Sequence, residues 1–246
     1  MLHKKDELLK IVVNCAEDFA PYHGKDISDR HIIMNCADTG CVPAAVEGCV
    51  IEGGTLTCRK LSRTKLINME SVSADELHLC MFLSCRKVQC GDYDEGYKAE
   101  ACQFFHCSEI SINYAAVEDC IFNDFEILFL TGTCIHNCLF SEITCNNDCA
   151  ISMEDGEISE SCFEHIKLLN DSYLIDGIGD AYVNESVFAD IRTERDDREI
   201  FRMEEERGFI IKKTKEFSFV DEDTCRGLDL ITDLDGNIDM TRFAGV

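Results

Sequence analysis

The chain has no tryptophan, only 2 prolines, and 23 basic residues against 48 acidic ones in 246 positions. Without tryptophan it lacks the strongest platform for stacking sugar rings. With a formal net charge of −25, a bare phosphate backbone is a poor ligand, because nucleic-acid affinity rests on neutralising phosphates with Lys and Arg. No apolar run reaches the ~18 residues of a membrane-spanning helix. The start, Met1 to Val13, has an apolar stretch broken by Lys10 and is not read as an export signal. Missing too are a G-x-S-x-G elbow, an H-E-x-x-H helix, a P-loop and a dinucleotide-binding fingerprint. At 46% hydrophobic, the chain is nevertheless too apolar for a disordered acidic tail.

Cysteine is abundant, at 17 residues, yet no C-x2-C pair occurs. Zinc ribbons and redox dithiols need two thiolates on one tight turn. The nearest spacings are Cys134/Cys138 and Cys145/Cys149, then Cys36/Cys41, Cys80/Cys85 and Cys102/Cys107. The count is odd, and a chain of this length buries a core without staples. These thiols are therefore expected to be reduced and buried as small apolar side chains, in a cytoplasmic protein.

The positive signal is an internal repeat. A Cys stands two residues before a Phe in Cys80-Met81-Phe82, Cys102-Gln103-Phe104, Cys120-Ile121-Phe122 and Cys138-Leu139-Phe140. Two later copies carry Ser instead: Ser161-Cys162-Phe163 and Ser186-Val187-Phe188. The Phe positions advance by 22, 18, 18, 23 and 25 residues. Three residues after each Phe comes another inward candidate: Cys85, Cys107, Phe125, Ile143, Ile166 and Ile191. Residues two apart share a strand face, so Cys and Phe point to one side. The step of three that follows breaks the period of two and marks a corner. The repeat is too short for a helical solenoid, and the leucine-rich signature is missing.

Stacking the copies as coils of a parallel β-helix turns the Cys and Phe positions into ladders inside one core, with coils ~4.8 Å apart. A β-sandwich with irregular hairpins is the competing architecture. Over about residues 78–192 the pattern resembles right-handed parallel β-helix proteins, and its Cys-x-Phe steps are similar to those of pentapeptide-repeat proteins. The five-residue beat is not sustained, and Asp176-Gly177-Ile178-Gly179-Asp180 interrupts it. The expected fold is thus an all-β, single-stranded right-handed parallel β-helix with a short N-terminal helical cap and an irregular C-terminal segment. Residues 1–48 are assigned to the cap and lead-in, 49–219 to the coils, and 220–246 to a C-terminal hairpin or cap. Within the cap, Leu8, Leu9, Val12, Val13 and Ala16 suit one helical face, although Ile11-Val12-Val13 also suits a strand. Cys49-Val50-Ile51 reads as an early rung and Phe217-Ser218-Phe219 as a late one. Residues 52–77 do not align, and the charged stretch 192–216 reads as a solvated outer strand or loop.

No catalytic, cofactor-binding or metal-ligating residue is singled out. Asp233-Leu234-Asp235-Gly236-Asn237-Ile238-Asp239 lacks the EF-hand order, since Gly236 at loop position 6 would put Ile231 at position 1. Asp235-Gly236 reads as a hairpin turn instead. The leading expectation is a non-enzymatic structural or protein-binding module, with another protein as partner, no membrane and no cofactor. Two alternatives follow from the resemblance. Several pectin and polysaccharide lyases and hydrolases share the fold. A catalytic set would then come from the polar corner column His106, Asp124, Glu142, His165 and Asp190. Stacking would place Asp124 and Glu142 ~5 Å apart, near the spacing of a retaining carboxylate pair. Some pentapeptide-repeat proteins imitate DNA and bind topoisomerases, which the acidity would fit as a mimic for a basic partner.

Overall fold

A computed structural model describes residues 8–37, 39–91, 96–193, 200–202, 209–213 and 216–219. They form a solenoid of stacked parallel strands, with coils that pass through three faces. Face 1 is a continuous sheet in which successive coils pair in register through Ile11, Ile32, Ile51, Leu66, Phe82, Phe104, Phe122, Phe140, Phe163, Phe188 and Ile211. Faces 2 and 3 belong to a second, bent sheet. Its long strands Ser71–His78 and Cys149–Ser159 pair by their first halves on face 2 and by their second halves on face 3. Face 2 lines the core with Leu56, Val72, Val88, Ile110, Leu128, Ile151 and Ile175. Face 3 does so with Ile27, Val46, Leu61, Leu77, Ala99, Val117, Ile135, Ile158 and Val183.

The Phe ladder is the densest part of the core. The rings of Phe82, Phe104, Phe122, Phe140, Phe163 and Phe188 are all fully buried. Neighbouring centroids lie 4.8, 4.9, 4.9, 4.4 and 4.5 Å apart, with interplanar angles of 3–14°. This spacing is close to the rise of a parallel stack, so the sheet itself imposes ring stacking.

The thiols do more than fill space. Cys80, Cys102, Cys120 and Cys138 are buried beside the Phe ladder, and Cys49, Thr64, Ser161 and Ser186 occupy the same slot in other coils. Each donates its S–H or O–H to the carbonyl two residues earlier: Cys102 to Glu100 and Cys120 to Glu118 at 3.3 Å, Thr64 to Ser62 at 2.9 Å, Ser161 to Ser159 at 2.8 Å. Each also accepts from the coil before. The N–H groups of Cys102 and Cys120 reach Cys120 Sγ and Cys138 Sγ at 3.4 Å, and Cys138 N–H reaches Ser161 Oγ at 3.1 Å. That dual role explains why Cys, Ser and Thr interchange here: each is small, with one donor and one acceptor at the same reach. Sixteen cysteines are free among the described residues.

The ends depart from the sequence reading in detail. Parallel pairing begins inside the expected lead-in, since Leu9–Val13 is a strand on Arg30–Met34. The helical face expected over Leu8–Ala16 is not formed. The β-branched run wins, and Leu9 and Val12 stay exposed. Among the described residues α-helix is confined to Ala16–Phe19, followed by a 3₁₀ turn at Ala20–Tyr22, and it buries Phe19. Residues 52–77 join the ladders through shorter coils. Leu66 stands in the Phe position, sixteen residues before Phe82, and Thr64 in the Cys position. In the charged stretch, Phe201–Arg202 pairs with Ile175–Asp176 and Phe209–Lys213 with Ser186–Ala189, so the coils continue there. Glu216–Phe219 is a strand but runs antiparallel to Phe209–Lys213, so Phe217-Ser218-Phe219 ends the parallel stack instead of extending it. The hairpin expected in 220–246 lies outside the described residues.

Two measurements check this core. Phe122→Ala removes one ring from the middle of the stack and is expected to cost ~3–5 kcal/mol in urea unfolding; a loss under ~1 kcal/mol would show that the ladder is not core. The second concerns alkaline pH. Burial pushes the Cys58 and Cys90 thiols from 9.0 up to about 12, and Cys49 up to about 11. A raised folded-state pKa means that the unfolded chain loses these protons first as pH rises past 9. Stability is therefore complete below pH 9 and falls between pH 9 and 12, by up to ~1.4 kcal/mol per pH unit for each such thiol. Unfolding under reducing conditions at pH 7.5 and pH 10.5 should show that drop, and Cys58→Ala should reduce it by the share of one thiol.

Candidate functional site

The corner after face 1 is built by backbone conformation. Asn68, Ser84, His106, Asp124, Glu142, His165 and Asp190 all have φ between 50° and 56°. A residue in this left-handed region turns the chain so that its successor points inward, as Met69, Cys85, Cys107, Phe125, Ile143 and Ile166 do. The expected step of three is thus one left-handed residue per coil. Asn, Asp and His enter this region most readily of the side-chain-bearing residues, which accounts for much of the column's composition.

The five corner candidates separate into two groups. His106 Nδ1 lies 2.6 Å from Asp124 Oδ2. His165 sits between Glu142, 3.2 Å from its Nδ1, and Asp190, 3.9 Å from its Nε2, and Arg192 Nε contacts Asp190 at 3.3 Å. Asp124 and Glu142 are drawn to imidazoles in opposite directions along the column, not toward a common point. All five side chains are exposed. The upper group lines a shallow hollow of about 240 Å³ together with Thr144, Ile166 and Lys167. Exposed pairs of this kind contribute at most ~1 kcal/mol each and are screened by salt. Chemically the arrangement is two separate imidazole–carboxylate groups over a turning backbone, with Asp124 and Glu142 as consecutive acids between them.

The three outer surfaces differ sharply. Face 3 is a charge ladder. Lys60 pairs with Glu76 at 2.9 Å, Lys98 with Glu118 at 2.8 Å, and His78 with Glu100 at 3.4 Å. Face 2 presents Thr57, Ser73, Gln89, Ser111, Phe129 and Ser152 in one column. At the edge between these two faces, Tyr97 and Tyr114 flank a hollow of about 590 Å³ floored by Ala115, Ala116 and Gly132.

The outer surface of face 1 mixes apolar and polar side chains and carries few charges. The residues on either side of each inward Phe, or its aliphatic equivalent, point away from the core. One outward column runs Val50, Lys65, Met81, Gln103, Ile121, Leu139, Cys162, Val187. The other runs Ile33, Glu52, Ile67, Leu83, Phe105, Asn123, Ser141, Glu164, Ala189. Met81, Leu83, Phe105 and Ile121 are partly exposed neighbours in three successive coils. Inspection of the Cys and Phe positions alone passes over this surface, although the two residues flanking each Phe carry the signal.

Among the described residues, no group of three or more His, Cys, Asp or Glu is placed to hold a metal ion, and no helix is long and apolar enough to cross a membrane. The Asp233–Asp239 stretch lies outside the described residues. No family model matches the chain, and no curated protein or solved structure matches it either.

Whether the corner is held by backbone or by charge is open to a direct test. Asp124→Asn and Asp124→Gly keep a residue suited to φ of 50° and should stay within ~0.5 kcal/mol of the parent. Asp124→Val places a β-branched residue there and should cost ~1–2 kcal/mol. An equal loss for Asp124→Asn would show that the carboxylate charge, through His106, holds the turn.

Proposed function

We propose that this solenoid is a non-enzymatic, protein-binding scaffold of a reducing compartment, the cytoplasm. Its binding side is the outer surface of face 1 in the coils around Met81, Leu83, Phe105 and Ile121. The observation that carries this reading is the contrast between faces. Several acids on face 3 are paired with Lys or His on neighbouring coils, whereas face 1 sets Leu83 beside Phe105 in register, with Met81 and Ile121 on either side of Gln103. Contiguous apolar surface with few charges is what a protein partner buries. The partner that fits is a protein presenting an apolar strand or helix face. The free, largely buried cysteines support a reducing surrounding.

The polysaccharide reading would rest on the corner column, where the carboxylates diverge toward separate histidines. The nucleic-acid-mimic reading would rest on regularly spaced unmatched acids, whereas several acids of face 3 pair with Lys and His on neighbouring coils. Both are weaker for those reasons.

A photo-reactive amino acid at position 105 on face 1, and in separate chains at 111 on face 2 and 118 on face 3, tests the proposal in cells. Position 105 should capture one discrete protein that the other two do not. The captured protein, purified, should bind the parent chain and lose at least ~10-fold in affinity with Phe105→Glu. Capture from face 3 alone, or binding indifferent to Phe105→Glu, would overturn the assignment.

A further inference from the structure

Face 1 has an open edge at its N-terminal end. The sheet begins with Leu9–Val13, which among the described residues pairs only with Arg30–Met34. Along a strand, successive residues turn their peptide groups to opposite sides. Val13 C=O accepts from Asn35 N–H in the next coil at 2.8 Å. The peptide groups of Leu9, Ile11 and Val13 therefore face that coil, and those of Lys10 and Val12 face outward along the edge. Asn14 N–H, next on the edge, is already taken by Asp18 Oδ2 at 2.9 Å. The edge is also apolar. Leu9 is 67% exposed and Val12 43%, two of the four large hydrophobic residues this open among the described ones. Leu9 is in phase with Ile11 and Val13 on the core side, so its exposure marks an uncovered end of the core. Edge strands are usually guarded by charges, proline or a bulge. Leu9–Val13 has Lys10 alone.

We infer that this edge is a self-association site, where Leu9–Val13 pairs antiparallel with the same strand of a second copy about a two-fold axis at Ile11. The register follows from which peptide groups are free. With Lys10 opposite Val12 of the other copy, each outward N–H and C=O meets its counterpart, and Ile11 faces Ile11. On the core side, Leu9 then lies opposite Val13 of the other copy, and the two apolar cores join through the contact. The lysines sit on a diagonal, so no like charges stand directly opposite. The contact is isologous and closes as a dimer without growing into a filament. Charge favours this end for a second copy. Residues 8–35, which build it, hold 3 basic and 4 acidic side chains, against a net charge of −25 for the whole chain. Two such chains repel each other along their lengths and least where these ends meet. A second copy also brings an uncovered core end as well as a strand, which a lone extended peptide does not. The inference stands independently of the partner proposed above.

Analytical ultracentrifugation of the full chain over a concentration series tests the site and should show a monomer–dimer equilibrium. Val12→Pro removes only an outward N–H, the one place where a strand tolerates proline. It should keep the β signature in circular dichroism and weaken dimerisation at least ~10-fold. Two charge variants test the register. Val12→Lys sets a second lysine opposite Lys10 at both symmetric positions and should weaken the dimer by a similar factor. Val12→Glu sets a carboxylate there and should keep the dimer, with an affinity that falls as salt is raised. Both alter an outward side chain, so they serve if Val12→Pro does not fold. Phe105→Glu should leave dimerisation unchanged, so a failed partner assignment on face 1 is distinguishable from a failed edge. A monomer at every concentration, a dimer indifferent to Val12→Pro and Val12→Lys, or a dimer lost with Phe105→Glu would overturn the inference. Equal weakening by Val12→Lys and Val12→Glu would overturn the antiparallel register.

Discussion

The corners hold this structure together. A parallel solenoid is made of short strands, and every strand must end in a turn that does not strand its peptide groups away from partners. Here the turn is a single left-handed residue, and its own N–H donates to the carbonyl of the next coil. Leu79 reaches Glu100, Ala101 reaches Glu118, His106 reaches Asn123 and Asp124 reaches Ser141, at 2.9–3.1 Å. The residue that follows at the face 3 corner is a thiol or hydroxyl. It returns a bond to the carbonyl behind it and receives one from the preceding coil. Coil-to-coil bonding thus continues through the corners. A left-handed non-glycine residue costs ~1–2 kcal/mol, and this continuity offsets it even for Leu79 and Ala101, which have no local side-chain bond to help.

Given such corners, the rest follows from geometry. Coils held in register stack identical positions, so a Phe in one coil meets a Phe in the next at a distance suited to ring stacking. The same register works outside the core. It sets Lys opposite Glu on face 3 and imidazole beside carboxylate along the corner after face 1. It also sets apolar beside apolar on the outer surface of face 1. The acidity of the chain is therefore not uniform in effect. Much of face 3 is neutralised locally, and the face 1 columns carry few charges, Lys65, Glu52 and Glu164 among them.

The Cys-x-Phe offset disclosed the coil, the inward ladders and the corner after each Phe, because all three depend on a period that a single sequence displays. What stayed hidden was hidden for physical reasons. Leu66 and Thr64 fill the Phe and Cys slots equally well, so the coils over 52–77 carry no spelling in common with their neighbours. Leu9–Val13 could satisfy a helical or an extended pattern, and its partner strand at Arg30–Met34 decided the matter. The direction of Glu216–Phe219 is a property of pairing that composition does not encode. The corner histidines and carboxylates were readable as polar positions, but which imidazole each acid faces depends on rotamers. The apolar outer surface was written beside every Phe and is recognisable only once the inward direction is known.

The spacing of the middle coils has a consequence for how such a chain changes length. Phe104, Phe122 and Phe140 are eighteen residues apart and superpose in the stack. Removing one eighteen-residue unit would join equivalent positions, preserve every face, and shorten the rod by a single rise of ~4.8 Å. Adding a unit would lengthen it by the same step. Length in this architecture is a counted quantity, like marks on a ruler. The distance between anything bound near Met81 and anything bound near Val187 is adjustable only in whole coils.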